Sequence, residues 1–99
     1  MKTFSCNRII FSGHSIQRMF ERGISVEGIK QILKTGLIIP IHRDEDDKPY
    51  PSYLVLGFIN KKPVHVLVAQ NKEENICIIV TVYNPDKKLW NKDFKTKRI

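Results

Sequence analysis

The sequence predicts an α+β fold in which two N-terminal helices pack on one face of an antiparallel β-sheet meander. Three observations support this prediction. The chain has 99 residues, which suits a single domain spanning 1–99. Apolar residues recur at helical spacing up to Gly36, and runs of β-branched and aromatic residues follow from Leu37. Because helices and strands are separated along the chain, both helices are expected on the same face of the sheet.

The first helix is predicted between Ser12 and Gly23. Ser12 is a suitable N-cap because its hydroxyl can accept a hydrogen bond from a free backbone N–H, and Gly23 suits the position that follows a helix. Between them, Ile16, Met19 and Phe20 follow the i, i+3, i+4 pattern of an apolar helix face. We therefore expect these three side chains in the core between helix and sheet.

A second helix is predicted in the segment ISVEGIKQILKTG, with Ser25 as its N-cap and Gly36 at its end. Gly28 lies inside this helix and weakens the prediction, because glycine costs about 1 kcal/mol relative to alanine in a helix interior. The residues expected to face the core are Val26, Ile29, Ile32 and Leu33.

Four strands are predicted in the rest of the chain. They are LIIPIH at 37–42, YLVLGFI at 53–59, PVHVLVAQ at 63–70 and ICIIVTVY at 76–83. The segments NKKP and NKEEN are expected to form the turns between the last three strands, and Pro85 to end the sheet. The segment NRIIF at 7–11 allows an earlier short strand. Because these runs are apolar on both sides, both faces of the sheet should be partly covered.

The chain is strongly basic, with 17 lysines and arginines against 10 acidic residues, a net charge of +7 and a pI near 9.6. Several of the acids lie together at 43–49, whereas the C-terminal segment 86–99 is rich in lysine. These two segments are expected to be the most mobile. A surface of this charge attracts a polyanion such as nucleic acid, an acidic protein or an anionic membrane. The alternative is a soluble protein whose basic charge has no functional meaning.

Location and redox state are predicted from what the sequence lacks. No apolar run reaches the length of about 18 residues that a membrane span needs, and the N-terminus lacks the apolar region of a signal peptide. Cys6 and Cys77 form no metal-binding spacing, and Cys77 lies in an apolar run typical of a buried thiol. We therefore expect a reduced, cytoplasmic chain.

One polar row on the first helix has a composition suited to phosphate binding. His14, Arg18 and Arg22 are spaced four residues apart on the side away from the predicted apolar face, and Glu21 borders them. Arginine supplies forked donors and a fixed charge, and histidine can transfer a proton near neutral pH. The alternative is a solvated helix face on which Glu21 balances an arginine.

This row belongs to a longer motif that resembles a known family. The string S-x-H-x-x-x-R-M-x-x-R-G-I-S, followed by a helix, a glycine and a meander that ends in VTVY, is similar to the family called domain of unknown function 4258. The resemblance covers essentially the whole chain. Ser15, where the family usually has alanine, and Gly13 depart from the pattern. The matching residues are Ser12, His14, Arg18, Met19, Arg22, Gly23, Ile24, Ser25, Gly36, Thr81, Val82, Tyr83, Pro85 and Trp90.

The pattern is also similar to that of bacterial toxins of the RelE and BrnT type. This resemblance implies a small, basic ribonuclease that needs no metal or other cofactor and has helices packed on a curved antiparallel sheet. It implies that RNA is cut in a shallow basic groove. It further implies a toxin–antitoxin system with a cognate antitoxin as partner, for which a small zinc-finger protein is one candidate. Because a fold alone does not determine function, these are expectations.

The resemblance implies specific roles for the candidate residues. In metal-independent cleavage the 2′-hydroxyl attacks the adjacent phosphorus, while a base, an acid and cations assist. His14 is the expected base or acid, and Arg18 and Arg22 are expected to hold the phosphate. Tyr83, on the same strand face as Thr81, is expected to stack on a base or assist proton transfer, or else to be a core or rim aromatic. The residues expected to bind RNA are Arg18, Arg22, Lys87, Lys88, Lys92 and Lys95.

Other interpretations remain open. His65 alternates with apolar residues and is interpreted as a packed histidine rather than a catalyst. The acidic run at 44–47 with His42 lacks the spacing of a calcium loop and is interpreted as solvated. Two further classes of function fit the charge: a non-catalytic nucleic-acid binder, and a protein-interaction module whose basic groove accepts an acidic antitoxin segment.

Overall fold

A computed structural model describes residues 6–39 and 50–86 of the chain. Seven elements follow one another along these residues: β1 (Arg8–Phe11), α1 (Gly13–Arg22), α2 (Val26–Thr35), β2 (Leu37–Ile38), β3 (Ser52–Ile59), β4 (Lys62–Asn71) and β5 (Ile76–Tyr83). The predicted α+β class and both predicted helices are therefore confirmed. The end of the predicted strand at 37–42, the acidic loop at 43–49 and most of the basic tail lie outside the described residues.

The five strands form one mixed sheet in the order β1-β5-β4-β3-β2. The pairs β2–β3, β3–β4 and β4–β5 are antiparallel, as a meander requires. β1, however, is parallel to β5, with Arg8 opposite Ile76 and Phe11 opposite Ile79. The prediction of a purely antiparallel sheet is therefore wrong at this edge. Parallel neighbours need a long crossover connection, and both helices with the next three strands form it.

Both ends of α1 are capped by the predicted residues. The Ser12 hydroxyl accepts a hydrogen bond from the backbone N–H of Ser15 at 3.0 Å and donates one to the carbonyl of Val80 at 2.9 Å. Gly23 has a φ of 65°, in the left-handed region that glycine enters without steric cost. Because Ser12 also contacts β5, this cap fixes the start of the helix against the sheet.

The buried face of α1 differs from the predicted one. Met19 is buried as expected, but Ile16 is 55% exposed and Phe20 is 88% exposed. The other fully buried residue of this face is Ser15, whose hydroxyl donates to the Ser12 carbonyl at 2.8 Å. A small serine with its own hydrogen bond lets the helix approach β5 closely. A hydropathy pattern counts serine as polar, and it therefore turned the predicted face toward Phe20.

This difference has a measurable consequence for two neighbouring side chains. Met19→Ala should lower the free energy of unfolding by about 2–5 kcal/mol, as truncations in packed cores do. Phe20→Ala should change it by less than about 0.5 kcal/mol, because the ring lies mostly in solvent. Chemical denaturation of both variants measures the contrast. A larger loss for Phe20→Ala than for Met19→Ala would show that the helix face containing Phe20 is the one in the core.

α2 packs on β3 with most of its predicted apolar face. Val26 is the exception, because 44% of it is exposed. A Cβ added at Gly28 would lie 2.8 Å from Cδ1 of Ile59. Ile59 therefore packs closely over this glycine, and a larger residue there would require the end of the Ile59 side chain to shift. The predicted core residues that are buried are Ile29, Ile32 and Leu33.

Apolar side chains are buried on both faces of the sheet, as its apolar strands predict. The main core lies between the helices and the sheet and includes Val66, Ile79 and Val82. A smaller cluster, on the face that the helices do not cover, consists of Ile39, Leu54 and Leu56, with Leu67 and Tyr83 packed against it. Val82 and Tyr83, which are consecutive in β5, thus face opposite sides, and Tyr83 points away from the helices.

Cys6 and Cys77 form a disulfide bond. This bond ties the segment just before β1 to β5. Cys77 is buried, as predicted, but its interpretation as a free thiol is wrong. No local pattern could show this pairing, because 71 positions separate the two cysteines. Disulfides persist mainly in oxidising compartments, so the cysteines no longer support the prediction of a reduced cytoplasmic chain. Within residues 6–39 and 50–86, neither helix has the length and hydropathy to cross a membrane.

Candidate nucleic-acid interface

The structure presents the predicted polar row as one exposed strip of α1, and we call His14, Arg18 and Arg22 the α1 strip. His14 lies in the first turn of the helix and Arg22 in the last. Both are exposed, and the side chain of Arg18 is 43% exposed. Because residues four apart share one face of a helix, a single rigid element holds all three side chains in solvent.

The surroundings of His14 favour an anion. The first turn of α1 offers free backbone N–H groups and the positive end of the helix dipole, both of which attract negative charge. A Cβ added at Gly13 would meet no atom within 4 Å, so the backbone beside His14 is open to an approaching group. In the part of the chain that the structure describes, His14 forms no hydrogen bond or ion pair. The imidazole is therefore available to a ligand.

Arg18 has one acidic neighbour. Its Nη1 lies 3.4 Å from Oε1 of Glu21, and Gln17 donates a hydrogen bond to the other carboxylate oxygen at 3.4 Å. This is the ion pair that a solvated helix face predicts. The two charged side chains are 43% and 47% exposed, so their pairing contributes at most about 1 kcal/mol. The guanidinium can exchange the carboxylate for a phosphate at little cost.

Arg22 is anchored to the end of β5. Its Nη1 donates to Oδ1 of Asn84 at 3.5 Å, and the Asn84 amide donates to the carbonyl of Pro63 at 2.9 Å. Asn84 therefore orients Arg22 while it is itself held by the sheet. Asn84 was not predictable from the sequence, because this contact joins residues 62 positions apart. Together with the cap at Ser12, this contact lays α1 alongside the C-terminal half of β5.

Tyr83 lies apart from the α1 strip. Its ring belongs to the sheet face that the helices do not cover, and its hydroxyl is 3.2 Å from Nδ1 of His65. The two rings meet edge to face with centroids 5.2 Å apart. His65 is fully buried, which confirms its interpretation as a packed histidine. The structure does not bring Tyr83 together with His14, and the alternative of a core or rim aromatic describes its position.

Burial also constrains the chemistry of Tyr83. Desolvation raises the pKa of its hydroxyl above the ordinary value of 10.0, because a low-dielectric environment disfavours the phenolate. The side chain is therefore protonated near neutral pH and cannot serve as a general base there. Any role in proton transfer is limited to donation from the hydroxyl.

Tyr83→Phe should lower the free energy of unfolding near neutral pH by about 0.5–1.5 kcal/mol, because one hydrogen bond is lost, and should leave RNA affinity unchanged. In the parent, stability should fall as the pH rises above 10.0, since the unfolded phenol ionises while the folded one keeps its proton. The variant lacks this contribution. Urea denaturation at neutral and alkaline pH measures both effects. Weaker RNA binding by the folded variant would instead place Tyr83 in the interface.

The remaining candidate residues lie outside the described ranges. These are the predicted RNA-binding residues Lys87, Lys88, Lys92 and Lys95, together with His42 and the acidic run at 44–47. Among the residues that the structure describes, no three His, Cys, Asp or Glu side chains are grouped so that they could hold a metal ion. The α1 strip and Tyr83 are therefore the predicted site residues that lie within the described part of the chain.

Comparison with protein families decides the family of this chain. A family model described as Domain of unknown function (DUF4258) matches residues 11–84, about three quarters of the chain. The chain belongs to this family. The range matched by DUF4258 contains α1, Tyr83 and Asn84, whereas Trp90 and the lysines of the tail lie beyond it. No curated protein and no solved structure matches the chain.

Membership of DUF4258 confirms the resemblance predicted from the motif around His14. The description of this family names no activity, so the family assigns none to the chain. The features of this DUF4258 chain that indicate a function are the α1 strip and the surfaces around it.

Proposed function

We propose that the protein is the toxin component of a bacterial toxin–antitoxin system and cuts RNA without a metal through the α1 strip. The observation that carries this proposal is the exposed alignment of one histidine and two arginines on a single helix. The net charge of +7 adds an attraction for RNA that does not depend on its sequence. A RelE-like arrangement with a curved sheet is part of the same proposal and is compatible with the α+β fold.

The length of the α1 strip determines how RNA would lie on it. The eight positions between His14 and Arg22 correspond to a rise of about 12 Å along the helix. A single phosphate would require both side chains to bend toward it, whereas an RNA backbone lying along α1 meets each in turn. We therefore propose that the phosphate at which the RNA is cut lies between the side chains of His14 and Arg18. Arg22, oriented by Asn84, holds the neighbouring phosphate.

Cleavage then needs only groups that the protein, the RNA and water supply. The 2′-oxygen attacks the adjacent phosphorus, and the bond from phosphorus to the 5′-oxygen breaks. The products are a 2′,3′-cyclic phosphate and a free 5′-hydroxyl. His14 takes the proton of the 2′-hydroxyl or protonates the leaving 5′-oxygen, with water making the other transfer. Arg18 stabilises the negative charge that develops on the phosphorane oxygens.

The proposal includes a cognate antitoxin as the second partner, with RNA as the first. A nuclease that acts on cellular RNA must be restrained until it is needed, and an antitoxin that covers a surface of the toxin provides this restraint. A small zinc-finger protein is the antitoxin candidate that the family resemblance suggests.

A non-catalytic RNA-binding module is the second candidate function, and one observation favours it. A catalytic histidine is usually oriented by a further side chain. Within the described residues, no side chain forms a hydrogen bond or an ion pair with the imidazole of His14. In that case the α1 strip would bind RNA phosphates, and His14 would contribute only to the affinity for RNA.

Binding to a labelled single-stranded RNA tests the interface shared by both candidates. Affinity should fall steeply with salt, because each phosphate contact releases counterions with a slope of about −0.7 per contact on single strands. Arg22→Gln should make this slope shallower by about one such contact. Lys72→Gln is the matched control, because it also removes one positive charge. Lys72 follows the last residue of β4, at the end of the strand opposite to Pro63. Equal effects of the two variants would show that only net charge matters and would contradict a site on α1.

A further inference from the structure

A second surface of α1 is apolar and lies in solvent. Phe20 is 88% exposed and Ile16 is 55% exposed, and Val26 at the start of α2 is 44% exposed. Three neighbouring apolar side chains outside the core of a small domain are costly to hydrate and are typical of a protein-interaction site. Phe20 is two positions from both Arg18 and Arg22, which corresponds to about 200° around the helix. This surface therefore lies on the side of α1 away from the strip.

Two of these side chains, Ile16 and Val26, line a groove between the two helices, and Phe20 is one helical turn from Ile16. The groove is also lined by Phe11, Met19 and Ile24, and its volume is about 320 Å³. That volume is at the lower end of the range typical of ligand pockets, and the lining is almost entirely apolar. The groove can therefore accept apolar side chains of a partner but offers little to a phosphate or a sugar.

The apolar groove continues into a basic one. A pocket of about 470 Å³ lies between β1 and α2 and shares Phe11 and Val26 with the first groove. Its cations are Arg8, Lys30 and Lys34. Lys30 is 3.9 Å from a carboxylate oxygen of Glu27. Among the described residues, Arg8 and Lys34 have no acidic partner.

The β1 wall of this pocket is held in place before any partner arrives. The disulfide between Cys6 and Cys77 ties its start to β5, and the backbone N–H of Asn7 donates to the carbonyl of Asn75 at 2.7 Å. A surface that is already ordered loses less entropy on binding. The pocket thus has the rigidity that a docking surface needs.

We propose that the two grooves together, which we call the helix groove, bind an acidic amphipathic segment of a partner protein. Apolar side chains of the segment cover Phe20 and fill the interhelical groove, and its carboxylates meet Arg8, Lys30 and Lys34. Charge complementarity selects this occupant. A second copy of this chain has a net charge of +7 and is repelled by the basic half of the helix groove. RNA would pair with the cations but would leave the apolar half of the helix groove in water.

This surface lies outside the proposed RNA site, and the proposal holds whether or not the chain cuts RNA. In the proposed toxin, the helix groove binds the antitoxin and leaves the α1 strip free. The partner can therefore anchor on the helix groove and block or release the strip with another part of its chain.

Selection from a phage library of random peptides tests the proposal. The bait is the full-length His14→Ala protein, so that nuclease activity has no influence, and peptides of about 16 residues allow four helical turns. Selected peptides should combine apolar residues with Asp or Glu. Synthetic copies should bind Phe20→Glu and the double variant Lys30→Glu, Lys34→Glu at least about tenfold more weakly than the bait. Phe58→Glu, at a side chain that is 59% exposed on β3, is the matched control.

The variants are first checked for folding by denaturation, and Phe20→Ser replaces Phe20→Glu if the latter is unstable. Peptides that lack acidic residues, or that bind Phe20→Glu as well as the bait, overturn the proposal. Two further results overturn it by naming another occupant. One is a dimer that Phe20→Glu converts to a monomer in sedimentation. The other is a loss of RNA affinity in Phe20→Ser, which leaves the net charge unchanged, equal to that in Arg22→Gln.

Discussion

His14→Ala should lower the rate of RNA cleavage by about 10²–10⁴-fold, which is the usual contribution of a positioned proton-transfer group. The imidazole is exposed on the first turn of α1, so its removal leaves no cavity and the variant should remain folded. Single-turnover cleavage of a labelled RNA measures the rate, growth inhibition in cells gives a second readout, and thermal melting is the folding control.

Gln17→Ala is the matched control for His14→Ala. Gln17 is also exposed on α1, and its hydrogen bond is to Glu21. Its truncation should leave cleavage and stability nearly unchanged. If folded His14→Ala cuts RNA as fast as the parent, the catalytic role of His14 is wrong, and the non-catalytic interpretation of the strip gains support.

Arg18→Ala should lower the cleavage rate by about 10²–10³-fold through the loss of a charge aimed at the phosphorane. Its effect on the affinity for uncut RNA should be smaller, because the negative charge on the phosphate oxygens develops fully only in the transition state. The measurement compares single-turnover rates with binding to an RNA that cannot be cut because its 2′-hydroxyls are methylated.

Glu21→Gln separates the role of Arg18 from general effects of charge on α1. It removes the carboxylate that lies 3.4 Å from Arg18 and leaves the α1 strip intact. This variant should cut RNA at least as fast as the parent.

One result would contradict the role assigned to Arg18. If the loss of rate in Arg18→Ala merely equals its loss of affinity for RNA, Arg18 binds the ground state only.

Local features of this fold were predictable because they depend on residues close together in the chain. Ser12 and Ser25 each accept a hydrogen bond from a backbone N–H three positions later, which is the contact that identifies an N-cap from sequence. The β-branched runs became β3, β4 and β5 with shifts of at most a residue at each end. The four-residue spacing of the α1 strip likewise needed only helix geometry.

Features that depend on distant contacts were not predictable. The parallel pairing of β1 with β5 and the bond between Cys6 and Cys77 join the two ends of the described chain. The contact of Arg22 with Asn84 is of the same kind. The core face of α1 was misjudged for a different reason: Ser15 is buried because its hydroxyl bonds within the helix, and hydropathy does not register this.

The position of Tyr83 shows what the alternation of residues along a strand can and cannot predict. Alternation correctly placed Thr81 and Tyr83 on one face of β5, since their cross-strand partners are Leu67 and His65. It could not decide which face meets the helices, because β5 carries apolar residues on both sides and its register against β4 is interrupted between Leu67 and Val68. Only the packed sheet shows that Tyr83 points away from α1.

The most direct test of a metal-independent nuclease on α1 is the cleavage of a defined RNA by the purified protein in EDTA, with and without ribosomes. We expect fragments that end in a 2′,3′-cyclic phosphate and a 5′-hydroxyl. An RNA with methylated 2′-hydroxyls should be bound but not cut. Cleavage of the methylated RNA would contradict the chemistry assigned to His14. Binding of both RNAs with no cleavage of either in any condition would contradict the nuclease itself.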